Sequence, residues 1–203
     1  MTDTSLPATR ETIRRVREDP YRLGHRFWIF LLSDIVMFAC FFAAFAVQRS
    51  ATAGGPGMRD LVEMPRVALQ TCALLLSSYT CGLSFAATNA RNLFWTQAFL
   101  LITGLLGLAF VGMELQEFIQ LANHGMTPQR SGFLTSFYGL VGLHGLHVTI
   151  AGLWLLTMMA QVQVKGFRPE IVHRLICFNL FWHALDIVWI GIFTIVYLMG
   201  AVI

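Results

Sequence analysis

Carboxylates and imidazoles stand in pairs three residues apart inside runs that are otherwise apolar: Glu114 and Glu117 in GMELQEF, His144 and His147 in GLHGLHV, and His183 and Asp186 in FWHALDIVW. That spacing puts both members of a pair on one face of a helix. Asp34, in LLSDIVMF, stands alone with only Ser33 beside it. Two Glu, three His and an Asp on adjacent helices are the ligand types of a di-metal carboxylate bundle. His147 facing His183 could instead supply the axial pair of a haem. The plain alternative is a buried hydrogen-bonded network in which acids and imidazoles satisfy one another. For Asp34 the two readings are a protonatable group in a cleft and a hydrogen-bond partner between helices.

The elements that must position these groups follow from composition. Of 203 residues, 56% are hydrophobic and only 12% charged, against about 25% charged in an ordinary soluble domain. A soluble enzyme, a disordered tail and a nucleic-acid binder are excluded. Crossing a bilayer takes about 20 apolar residues in a helix, because each backbone polar group must be paired within the segment. Five segments qualify, at 27–48, 67–87, 94–118, 132–163 and 175–203. The fourth is long, but at 1.5 Å per residue it reaches roughly 50 Å, too short for two crossings and a turn. The expected fold is therefore an all-α, polytopic membrane bundle of five helices, residues 27–203, behind a basic tail at 1–26.

Charge placement orients it. With the N-terminus in the cytoplasm, Arg10, Arg14, Arg15, Arg17, Arg22, Arg26, Arg91, Lys165, Arg168 and Arg174 lie inside, and only Arg49, Arg59, Arg66 and Arg130 lie outside. This satisfies the positive-inside rule and puts the C-terminus on the periplasmic side. The tail has no apolar core of its own and is no signal peptide; its RETIRRVRED stretch suits a surface helix against anionic headgroups. The loop ATAGGPGMRDLVEMP is rich in turn formers and could pack over the bundle. Cys40, Cys72, Cys81 and Cys177, all in apolar runs, read as small buried hydrophobes. Trp28, Trp95 and Tyr197 fit an interfacial aromatic belt.

Three segments in order carry a resemblance: GLAFVGMELQEF, SGFLTSFYGLVGLHGLHVTIAGLW and FWHALDIVWIGIFTIVYLMG resemble the last three helices of subunit III of the haem-copper terminal oxidases, and LLSDIVMFACFF resembles the segment holding that family's intramembrane acid. The likeness spans nearly everything from Phe27 to Ile203. Five spans match the shorter bacterial quinol-oxidase version, and GMTPQRSGF and AGGP are most similar to the bo-type ubiquinol oxidase branch.

The resemblance implies a non-redox subunit of a proton-pumping ubiquinol oxidase in the bacterial inner membrane. A menaquinol or cytochrome c oxidase of bacterial type is the alternative, and a di-metal enzyme or a small transporter using Asp34 and Asp186 is the rival from another class. It also implies no cofactor or metal in this chain, haem and copper in partner subunits, bound phospholipid, main contact with subunit I, and further contact with subunits II and IV. Asp34 falls at the family's carbodiimide-reactive position, where many members carry the longer glutamate. The family's V-shaped arrangement, helices 1 and 2 apart from 3 to 5, would form a lipid cleft with Trp28, Asp34 and Phe38 as its candidate lining. Glu114, Glu117, His144, His147, His183 and Asp186 would then be a structural network.

Overall fold

A computed structural model of the protein describes residues 6–49, 51 and 63–199. The side chains of residues 1–25, expected to touch headgroups, and the loop at 52–62, expected to pack over the bundle, lie outside the described residues. Five long helices follow one another: α1 (Leu6–Gln48), α2 (Met64–Asn89), α3 (Leu93–Asn123), α4 (Gly132–Lys165) and α5 (Pro169–Ile192), the last continuing through a π-helical turn, Phe193–Leu198. A short 3₁₀ turn, Pro128–Arg130, precedes α4, and no strand occurs among the described residues. Each long helix contains a segment long and apolar enough to cross a membrane: Arg26–Gln48, Met64–Asn89, Leu93–Asn123, Gly132–Lys165 and Pro169–Leu198.

The helix ends follow local chemistry. Pro65 and Pro169 sit in the first turns of α2 and α5, where the missing N–H costs nothing and the fixed φ suits a helix. Asn92 and Ser131 cap α3 and α4 by accepting from the backbone N–H groups of Trp95 and Leu134. Gly166 ends α4 with a φ of 68°, a conformation glycine adopts without steric cost. Two boundaries differ from the sequence expectation. α3 continues past residue 118 to Asn123, and α5 starts at Pro169 rather than at 175. In both places polar residues, such as Gln120 and Arg174, extend a helix beyond its apolar run.

The V-shaped grouping does not describe this chain. α1 packs against α4 and α5, whereas α2 has its most extensive packing with α3 and a second interface with α5. Two physical causes act together. The connection Ala90–Asn92 closes with Asn92 N–H donating to Ala87 C=O at 3.1 Å, so α2 and α3 are forced to be antiparallel neighbours. Small hydroxyl side chains then let them approach, with Thr80 and Thr103 bonded at 2.8 Å and Thr88 and Thr96 at 3.5 Å. α1 is held by aromatic volume instead: Phe38 and Phe45 are buried, and the rings of Phe41 and Phe42 lie where a Cβ at Gly139 of α4 or Gly191 of α5 would come within 3.4 or 3.2 Å. The core runs along the α3, α4 and α5 faces through Phe110, Leu140, Leu155, Phe178 and Trp189.

Candidate functional site

The intramembrane acids and imidazoles are divided among three places. At α1 and α4, Asp34 Oδ1 lies 3.0 Å from His147 Nε2, with side chains 11% and 15% exposed. The other ring nitrogen of His147, Nδ1, is 2.7 Å from the Leu143 carbonyl one turn back. That contact fixes the ring: with a proton on Nδ1 shared to the carbonyl, a neutral imidazole turns its Nε2 lone pair to Asp34, and a doubly protonated one makes an ion pair. Phe38 packs on both imidazoles of α4, at 5.3 Å from His147 and 6.3 Å from His144. It is only 1% exposed, so it belongs to the core and does not line a lipid cleft as expected, because α1 turns this ring into the α4 face. Trp28, one and a half turns before Asp34, is exposed.

At the end of the bundle shared by the start of α2 and the end of α3, Glu117 is buried between three helices. Gln70 Nε2 of α2 donates to its Oε2 at 3.2 Å, and the Tyr197 hydroxyl donates to its Oε1 at 3.3 Å. Tyr197 lies in the π-helical turn and is fully buried, so it is part of this cluster and not of an interfacial belt. Arg66 bonds Gln120 and Gln116 at the same end. Glu114, one turn deeper, is seated against α4: a Cβ at Gly145 would come 2.5 Å from its Oε2. Neither of its carboxylate oxygens has a protein partner, nor has either ring nitrogen of His144. His144 stacks on Trp189 at 5.3 Å and meets the edge of Phe110 at 5.8 Å.

The third place lies between α2 and α5. Ser78 Oγ and His183 Nδ1 are 2.6 Å apart, and Asp186, one turn on, lines the same groove. Tryptophan indoles tie these helices above and below: Trp182 donates to Ser77 Oγ and Trp189 to Thr71 Oγ1, each at 3.1 Å, and Asn179 donates to the Cys81 carbonyl at 2.9 Å.

The six residues of the expected network therefore do not meet as one. Among the described residues, no three His, Cys, Asp or Glu side chains converge as a metal would require, and the di-metal arrangement is not formed. Depth is one reason: Glu117 is about 9 Å from its helix end and His183 about 21 Å from either end of its span, at 1.5 Å per residue. Gln70, Ser78 and Tyr197 are the partners that sequence reasoning missed. A Gln in the apolar α2 run was the available signal for the first. Of the cysteines, Cys81 and Cys177 are buried, but Cys40 and Cys72 are exposed on the outer faces of their helices.

Comparison with known proteins agrees with the order of these helices. The cytochrome c oxidase subunit III family matches residues 15–201. The chain belongs to that family. It is 49% identical over 175 residues to the cytochrome bo(3) ubiquinol oxidase subunit 3 of Pseudomonas aeruginosa, covering 86% of this chain and 84% of the relative. The quinol oxidase subunit 3 of Bacillus subtilis is 41% identical over 174 residues, 86% of this chain and 85% of its own. With the cytochrome bo(3) ubiquinol oxidase subunit 3 of Buchnera aphidicola from Acyrthosiphon pisum, 35% identity extends over 200 residues, 98% of this chain and 97% of the relative. Membership in the subunit III family thus covers all five helices and all three polar sites.

Proposed function

We propose that this chain is the third subunit of a haem-copper ubiquinol oxidase in a bacterial inner membrane, where it supports turnover and takes no electrons itself. The observation carrying this reading is the division of the buried acids and imidazoles among separate helix–helix contacts, the pattern of groups that hold helices together, joined to a family match from residue 15 to 201. In the intact complex, haem and copper belong to partner subunits, subunit I is the main contact, and subunits II and IV complete the assembly. The N-terminus is cytoplasmic and the C-terminus periplasmic, supported by the arginine distribution.

Asp34 serves as a structural acid at the α1–α4 contact. The partly exposed Asp34–His147 pair, with Trp28 exposed further along α1, is the place where phospholipid contacts this subunit. Two roles for that lipid suit a neighbour of the catalytic subunit: it keeps the adjoining helices in register, and it offers dissolved oxygen an apolar path. The transporter reading is disfavoured because Asp34 and Asp186 face different helix contacts.

The test is purification of the tagged chain from membranes. Haem absorbance and oxidase activity are expected to come with it. A chain that purifies without any haem-bearing partner overturns the proposal. In the assembled enzyme, Asp34→Asn is expected to leave assembly and initial oxygen consumption intact; an immediate loss of proton pumping would show that Asp34 is more than structural.

A further inference from the structure

Asp186 is anomalous among the buried acids because it stands at an open surface. It is 8% exposed, its Oδ1 has no hydrogen-bond partner, and it lines a groove of about 450 Å³ between α2 and α5 together with Leu75, Ser78, Tyr79, Gly82 and His183. An acceptor buried in hydrocarbon without a donor is costly, so the groove lacks a group that would supply one. Depth limits what that group is. Ser78, His183 and Asp186 lie roughly 16 to 26 Å from the ends of their helices, at 1.5 Å per residue. In a hydrocarbon core about 30 Å thick this is the middle of the membrane, out of reach of a phospholipid headgroup.

The walls say what fits. Ser78, Gly82 and Ala86 recur every fourth residue of α2, the spacing that lets another helix backbone approach closely. At Gly82 an added Cβ would meet nothing within 4 Å, so this stretch faces outward with no neighbour from its own chain. Tyr79 beside it is 67% exposed. α2 is also the least apolar of the five spans, with a mean hydropathy of 1.3 against 1.5 to 2.3 for the others, and is the least suited to face lipid alone. A lipid or quinol head could fill one point of the groove, but only a helix uses a small-residue stripe two turns long.

We propose that the α2–α5 groove is the seat of a transmembrane helix from another subunit of the oxidase, one that brings a hydrogen-bond donor to Asp186 at the middle of the membrane. This rests on the reading of the chain as a subunit of that complex.

The intact complex, carrying a photoreactive p-benzoyl-phenylalanine in place of Tyr79, tests it directly. Illumination is expected to join this position to a membrane-spanning peptide of another subunit of the purified enzyme, with an Arg, Lys, Asn, Gln, Ser, Thr, Tyr or Trp within one turn of the adduct. Gly82→Leu, which meets nothing inside its own chain, is expected to reduce the haem retained by the tagged chain at least tenfold. Gly112→Leu, on α3 and equally unobstructed, is expected to retain it all. Adducts confined to lipid or quinone, a helix without a donor, or Gly82→Leu that retains haem as the parent does each overturn this proposal while leaving the subunit reading intact. A parent chain that retains no haem-bearing subunit overturns both.

Discussion

Glu117 and Asp34 are both carboxylates among hydrocarbon, yet the protein treats them differently. Glu117 is enclosed by α2, α3 and the π-helical turn, and each of its oxygens accepts from a neutral donor, Gln70 or Tyr197. Asp34 sits near the outside of the bundle with one partner, the His147 imidazole. The enclosed acid is specified by packing, so geometry errors of less than an ångström matter there. The edge acid is specified by a single contact that lipid and side-chain motion can relax.

Substitutions should separate the two regions in a definite order. Gly145→Val is expected to have the largest effect, because even the first added carbon would lie 2.5 Å from the Glu114 carboxylate; overpacking of this kind costs about 1 to 3 kcal/mol or more. Its signature is loss of assembled oxidase from membranes, with Glu114→Ala restoring assembly to Gly145→Ala. Independence of the two changes would show that Glu114 does not occupy that space.

Tyr197→Phe comes next. It removes one of two donors to buried Glu117, for which about 1 to 3 kcal/mol is typical, and should lower the midpoint of thermal inactivation of the complex by several degrees. Gln70→Leu should do the same, and the double change should fall short of additive, since both act on one carboxylate.

The Asp34–His147 pair should matter less. A double-mutant cycle with Asp34→Asn and His147→Phe is expected to give a coupling near the average of about 0.6 kcal/mol for polar pairs between membrane helices. A coupling above that for Glu117 and Tyr197 would reverse the comparison. At the small end, Gly112→Leu should leave inactivation temperature and activity unchanged, because nothing lies within 4 Å of the added carbon.

Much of this architecture was legible in the residues. Five uninterrupted apolar runs require five helices wherever water is absent, and the i, i+3 acids and imidazoles share faces as their spacing demands. What sequence could not carry is which faces meet. Glu114 and Glu117 look like one unit on paper, but in the fold one looks at Gly145 and the other at Gln70 and Tyr197. The pairing of α2 with α3 was hidden because Thr80, Thr88, Thr96 and Thr103 read as ordinary interruptions of apolar runs until their hydroxyls are seen to oppose each other. Phe38 was misjudged for a related reason: a ring in a span looks the same in sequence whether it meets lipid or His144.

The π-helical turn at Phe193–Leu198 bears on how chains of this family can vary in length. A π-turn accommodates one residue more than an α-helix spanning the same rise. Deleting a single residue between Ile192 and Tyr197 would therefore cost the helix little in hydrogen bonds, while rotating everything beyond the deletion by about 100°. The Tyr197 hydroxyl would swing away from Glu117, leaving that carboxylate with Gln70 alone. A gap of one residue here, which an alignment would score as trivial, amounts to removal of the tyrosine from the site, and a relative that carries such a gap must supply Glu117 with a different donor or dispense with the acid.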